Sequence, residues 1–222
     1  MHTQPHLPES PAQTEGRLIR WASFYDGMVN LMTLGQASRL RRMTVDQALL
    51  QPGETLLDVG CGTGGVTIPA KIKVGEGGSA AGIDPAPDMI AVARRKAKRA
   101  GVEIDFRVGV IESLPYPDET FDVVTSSLMM HHLPQRLQVK GLAEIWRALK
   151  PGGRILIADM RRPSASFFKR FLISQAFHHG HRVQSSIEDL PKLLGEAGFE
   201  DVEQPDARFG NIGFVRAKKP AA

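Results

Sequence analysis

At 222 residues, 42% of them hydrophobic, the chain has the apolar material for one full core and is most simply one domain with small additions. Charged residues at 23%, a net charge of +4 and only 6% aromatic residues fall short of a nucleic-acid-binding composition. No apolar run approaches the ~20 residues of a membrane span, and the single Cys61 excludes an internal disulfide and suits a reducing cytoplasm.

Residues 1–15 are rich in Pro, Gln and polar side chains and read as a disordered lead-in without the apolar segment of a signal peptide. Helical apolar spacing over residues 16–34 and 36–50 predicts a two-helix cap over residues 16–51, divided near Gly35. Pro52-Gly53 precedes a first strand at 55–59, and a helix is predicted over about 65–72. A second strand at 80–83 ends in Asp84, and Pro87 opens a helix running to about residue 100, with Met89, Ile90, Val92 and Ala93 on its core side. Strands follow at 102–108 and 121–126, then a helix at 135–149 stopped by Pro151-Gly152-Gly153. A fifth strand at 154–159, helices at 164–179 and 187–197, and strands at 200–204 and 213–218 complete the chain. Alternating strands and helices mean a parallel sheet covered on both faces. The connection between the last two strands is too short for a crossover helix, so that pair must be antiparallel.

The most informative segment is Leu56-Leu57-Asp58-Val59-Gly60-Cys61-Gly62-Thr63-Gly64-Gly65, an apolar run ending in a carboxylate and then four glycines in six residues. It reads as a buried strand, a turn where backbone closely approaches a ligand, and a helix whose first amides face that ligand. The glycines alone do not identify the ligand. Gly60-x-Gly62-x-x-Gly65 fits a dinucleotide fingerprint, with Asp84 about 20 residues on as the ribose acid. Gly60-x-Gly62-x-Gly64 after Asp58 equally fits an S-adenosylmethionine (SAM) loop. The acid at 58 favours SAM, whose ammonium and sulfonium it attracts, over a pyrophosphate, which it repels. Cys61 reads as a small residue that fits the turn.

Five motifs in order carry a family resemblance over about residues 21–218. They are Leu57-Asp58-Val59-Gly60-Cys61-Gly62-Thr63-Gly64, Gly82-Ile83-Asp84-Pro85-x-x-Asp88-Met89, Glu112-Ser113-Leu114-Pro115-Tyr116-Pro117-Asp118, Phe121-Asp122-Val123-Val124 and Leu149-Lys150-Pro151-Gly152-Gly153. The chain resembles the class I SAM-dependent methyltransferases, in particular the branch with the ubiquinone/menaquinone-biosynthesis C-methyltransferases. The resemblance implies an α/β fold: a doubly wound, seven-stranded, mostly parallel Rossmann-like sheet with the last strand antiparallel and a helical N-terminal cap. Residues 52–219 would form the SAM-binding domain, with a substrate-covering segment at about 161–186.

Carried over residue by residue, the cofactor would be held at Asp58, Gly60, Gly62, Gly64, Thr67, Asp84, Pro85, Met89, Val110, Ile111 and Ser127. Asp84 would accept both ribose hydroxyls, Met89 would pack near the adenine, and Ile111 would offer it a backbone amide. The family commonly has Asp or Asn where this chain has Val110, which cannot accept the adenine amino group. Glu112 or a backbone carbonyl then takes over, or the cofactor is held less tightly, by about 1 kcal/mol for one neutral hydrogen bond.

Methyl transfer needs orientation and exclusion of water, and a base only when the nucleophile carries a proton. His131 and His132 follow the fourth strand, and an imidazole titrates near pH 6.5, which suits proton transfer. Tyr25 resembles a cap tyrosine closing over the cofactor. These three are the candidate catalytic residues, and no metal site is expected. Phe167, Phe168, Phe171, Leu172 and Ile173 predict a lipophilic or aromatic small-molecule acceptor. Arg161, Arg162, Lys169 and Arg170 add charge suited to an anionic substrate or transient contact with a membrane surface. Three other readings are open: N- or O-methylation of an unrelated metabolite, SAM binding without transfer, and an NAD-dependent reductase, which Asp58 and the antiparallel ending disfavour.

Overall fold

The computed structural model describes residues 27, 30, 31, 35–162 and 186–221. The expected lead-in, Tyr25, most of the first cap helix and nearly all of the covering segment lie outside these residues. Seven strands, β1 (Thr55–Val59), β2 (Ser79–Asp84), β3 (Asp105–Val108), β4 (Phe121–Ser127), β5 (Leu149–Met160), β6 (Glu200–Glu203) and β7 (Ile212–Lys218), form one sheet in the order β3-β2-β1-β4-β5-β7-β6. Neighbours from β3 to β5 pair in parallel, and β7 pairs antiparallel with both β5 and β6. The antiparallel ending follows from the short β6–β7 link, as the sequence requires.

Strand periodicity divides the core between two faces. Leu56, Ala80, Val123, Leu156 and Phe214 share one cluster with Leu40 and Val45 of α1 (Ala37–Gln47) and Ala70 and Val74 of α2 (Thr67–Val74). Leu57, Ala81, Val124, Ile155, Ile157 and Val215 point the other way, onto Leu142 and Ile145 of α4 (Gln135–Ala148) and Leu190 and Leu194 of α5 (Leu190–Glu196). On α3 (Pro87–Ala100), Ile90, Ala93 and Ala97 pack with Phe106 of β3. Proline opens α3 and Gly101, in the left-handed region at φ 68°, ends it.

Several boundaries differ from the sequence expectation: β3 begins at Asp105 and not at 102, α1 spans Ala37–Gln47 and not 36–50, α2 spans Thr67–Val74 and not 65–72, and two further differences have a visible cause. β5 begins at Leu149, five residues before the expected Arg154, because Gly152 and Gly153 are tied to the end of β7. Gly152 donates to Lys219 O (3.1 Å) and Lys219 donates to Gly153 O (2.8 Å). The register with β4 shifts there, between Phe121 and Val123. The helix expected at 187–197 is divided into a 3-10 turn, Ile187–Asp189, and α5. Ser186 and Asp189 form a reciprocal capping box on the turn, and Pro191, with no N–H to donate, follows it.

Ile111 fits only because α4 has a glycine at 141. A Cβ on Gly141 would lie 2.4 Å from Ile111 Cγ1 and 2.5 Å from Cδ1. Isoleucine branches at Cβ and has little room to turn away. Gly141→Ala is therefore expected to destabilise by about 1–3 kcal/mol in chemical denaturation despite alanine's better helix propensity. Ile111→Ala should remove most of that cost in the double variant. Equal costs in both backgrounds would show that the two residues do not clash.

Candidate active site

Strand order reverses between β1 and β4, so their carboxyl ends open a crevice at the switch point of the sheet. Two adjoining clefts occupy it. The larger, about 720 Å³ of open space, is lined by Val59, Gly60, Gly62, Ile83, Asp84, Pro85, Met89, Gly109, Val110, Ile111, Glu112, Ser127, Leu128, Met129, His132 and Leu133. The smaller, about 490 Å³, shares Gly60, Ser127 and Leu128 and is walled by α1 and the glycine turn.

Eight of the eleven residues expected around a cofactor line the larger cleft, and Asp58 lines the smaller one together with Gly60 and Ser127. Gly64 and Thr67 line neither. A Cβ on Gly64 would meet Phe106 Cζ at 3.1 Å and Ile68 Cδ1 at 3.2 Å, so this glycine lets the turn pack on β3 and α2. Gly60 also answers to the protein's own packing. Its φ is +74°, and a Cβ would lie 2.5 Å from Met129 Cγ, a side chain that lines the cleft.

Asp84 is held by the turn it faces. Its two oxygens accept N–H bonds from Gly62 (3.0 Å) and Ala86 (2.9 Å), which orients the carboxylate at the cleft. Each oxygen keeps a lone pair for a ligand hydroxyl. Asp58 is buried and accepts from Thr67 Oγ1 (2.6 Å) and Thr125 Oγ1 (2.8 Å). Thr67 thus positions Asp58 from the first residue of α2. Burial pushes the Asp84 carboxyl up to about 6, against the two amides. Burial likewise takes Asp58 to about 6, helped by the charge of Asp84 and opposed by the two threonine hydroxyls.

Both shifts are upward, so in the unliganded protein ionisation costs stability as pH rises from about 4 to 6. A ligand that donates hydrogen bonds or brings positive charge needs the ionised forms, so its affinity rises through pH 6. Binding of S-adenosylhomocysteine (SAH) is expected to be about tenfold weaker at pH 5 than at pH 7.5 for each carboxylate that must ionise. Calorimetric titration across that interval checks this, and a flat profile would show that neither carboxylate titrates on binding.

The histidines separate into two roles of position. His132 lines the larger cleft. The neighbouring His131 bonds through Nδ1 to Asp159 Oδ1 at 2.5 Å, and its backbone N–H donates to Oδ2 at 3.1 Å. Asp159 is buried near the end of β5, and the two imidazoles lie 3.9 Å apart. Asp159 was not singled out in the sequence, where it is one acid at the end of an apolar strand. Arg161 and Arg162 face carboxylates: Arg161 Nε is 3.5 Å from Glu188 Oε1, and Arg162 bonds Asp189. Among the described residues no group of three His, Cys, Asp or Glu side chains is placed to hold a metal ion, and no helix is long and apolar enough to cross a membrane.

The two clefts fit SAM: an apolar, carboxylate-edged cavity for a nucleoside beside a smaller one of mixed lining, with Asp58 and Arg41, for an amino-acid tail. The family profile described as "Methyltransferase domain" matches residues 56–153, the stretch that builds β1, the glycine turn and Asp84. Together with the curated relatives, this match supports a SAM-dependent methyltransferase enzyme with SAM as its methyl donor. The chain resembles the ubiquinone/menaquinone biosynthesis C-methyltransferases. It is similar to the ubiquinone/menaquinone biosynthesis C-methyltransferase UbiE of Escherichia fergusonii, 29% identical over 220 residues, covering 89% of this chain and 87% of that protein. Among solved structures, a SAM-dependent methyltransferase from Aquifex aeolicus shares the fold with a TM-score of 0.65 at 22% identity, over 81% of this chain and 89% of that one. So does Haemonchus contortus phosphoethanolamine N-methyltransferase 2 in complex with SAM, at TM-score 0.64 and 19% identity, over 91% of this chain and 60% of that one.

Proposed function

We propose that this methyltransferase acts on a lipophilic phenol- or quinol-type small molecule and that His132 takes the acceptor's proton. The observation that carries the reading is the placement of His132 in the cleft wall beside the apolar side chains of Leu128, Met129 and Leu133. An apolar wall with one imidazole suits a flat, weakly acidic acceptor better than a charged amine. The similarity to the UbiE enzyme supports the same acceptor class.

SAM supplies an electrophilic methyl group on a sulfonium. Asp84 and the Gly60–Gly62 turn hold the nucleoside side, and Asp58 attracts the cationic tail. Leu128, Met129 and Leu133 exclude water and bring the acceptor's nucleophilic atom into line. Bound there, SAM would give up that methyl group to the acceptor's nucleophilic atom, leaving the electron pair of the carbon–sulfur bond on sulfur. The acceptor's proton passes to His132. Asp159 holds His131 against the His132 ring.

The test is SAH release with a panel of quinols, phenols and primary amines, and mass and NMR analysis of the product. Turnover confined to phenols and quinols is expected, with the NMR distinguishing C- from O-methylation. Turnover on amines alone would overturn the acceptor assignment. SAH binding without turnover on any class would favour the reading in which the protein binds SAM without transferring from it, to which Val110 in the cleft wall lends support.

A further inference from the structure

The face that α4 turns to the core is apolar with one exception. Its buried residues are Leu137, Gln138, Gly141, Leu142, Ile145 and Ala148, and only Gln138 among them has a polar side chain. That residue is wholly out of solvent. A buried amide is costly unless it is hydrogen-bonded, and Gln138 directs its amide nitrogen at the loop that leads into the helix. Its Nε2 donates to Met130 O at 2.8 Å and to Leu133 O at 3.2 Å. Helical side chains lean toward the N-terminus, so a residue in the first turn of α4 reaches back over the chain that enters it.

The two carbonyls bracket His131 and His132. Between them the chain forms a 3-10 turn, Met130–His132, in which the N–H groups of His132 and Leu133 donate to Met129 O and Met130 O at 3.0 Å each. Met130 and Leu133 are buried, and Asp159 takes the His131 amide from the β5 side at 3.1 Å. His132 is the member of the turn that lines the larger cleft. We infer that Gln138 is a positioning residue, which fastens both ends of this turn from the α4 side so that His132 faces the acceptor. This rests on the role proposed for His132. A glutamine amide carries two N–H donors, one for each carbonyl, whereas a methionine of similar length would fill the space and donate to neither. An imidazole held in place from β5 and from α4 needs little reorganisation when it takes a proton.

A double-mutant cycle separates this role from support of the fold. Wild type, Gln138→Met, His132→Ala and the double variant are compared for kcat and for SAH affinity. The acceptor is tert-butylhydroquinone, or a faster phenol or quinol from the panel above. Gln138→Met is expected to lower kcat roughly tenfold by misplacing the imidazole. SAH affinity should be unchanged, because Asp84 and the glycine turn lie at the ends of β2 and β1. In the His132→Ala background the same substitution should cost nothing further. Amide hydrogen exchange should quicken at His132 and Leu133 and stay slow in β5. Val139→Ala, at the exposed neighbouring position, should match wild type throughout. If the methionine variant does not fold, Gln138→Asn, whose amide is one methylene short of the carbonyls, takes its place in the cycle. An equal loss in both backgrounds, exchange that quickens in β5 as much as in the turn, or full kcat in Gln138→Met would overturn the role of Gln138. Full kcat in His132→Ala, or no turnover of any phenol or quinol by the wild type, would instead overturn the reading of His132, and the Gln138 role with it.

Discussion

Asp84→Ala is expected to weaken SAH binding by two to four orders of magnitude. Two charge-assisted hydrogen bonds to the ribose, each worth about 1.5–3 kcal/mol, would be lost together. The fold should tolerate the change better than the ligand does. The carboxylate accepts the Gly62 and Ala86 amides, and losing those bonds is destabilising. Its pKa is raised to about 6 by burial, so removing the charge at neutral pH offsets part of that loss. Calorimetry beside thermal melting separates the two effects. A collapse of melting temperature that accounts for all of the lost binding would mean that Asp84 supports the turn and does not hold the ribose.

His132→Ala should lower kcat by about 100-fold or more, the scale of a general base, while SAH still binds. His131→Ala and Asp159→Asn should lower kcat less, since neither residue lines the cleft. They should also displace the acidic limb of the pH–rate profile, because each alters what surrounds the His132 ring. A merely structural His131–Asp159 pair would lower stability without moving that limb. If His132→Ala keeps full kcat on an acidic phenol, the acceptor is deprotonated before it binds and no base is required. The comparison therefore needs acceptors spanning a range of pKa values.

Several features of the protein are legible from short stretches of chain. The first strand ends where an apolar run meets Asp58 and the glycines, and α3 runs from Pro87 to Ala100, as its opening proline and apolar spacing predict. Those signals are local: steric limits on φ, a missing N–H, the periodicity of burial. The antiparallel β7 followed from connection length alone. The site at the carboxyl ends of β1 and β2 followed from strand–glycine–helix order, since a parallel sheet brings those ends to one edge.

What tertiary structure decided lies in pairs far apart in sequence. His131 and His132 are adjacent and chemically alike, and only the closure of β5 beside β4 brings Asp159, 28 residues away, to one of them. Gly60 and Gly64 read as ligand-facing glycines; Gly60 lines both clefts while also making room for Met129, and Gly64 lines neither and packs against Phe106. Ile111 depends on Gly141 and Arg41 on Gly65, pairs that no local pattern announces because the partner's contribution is an absent side chain. Local sequence determines backbone conformation and burial periodicity. Which side chains then meet depends on how crossovers and helices stack, and that is settled only when the whole sheet is assembled.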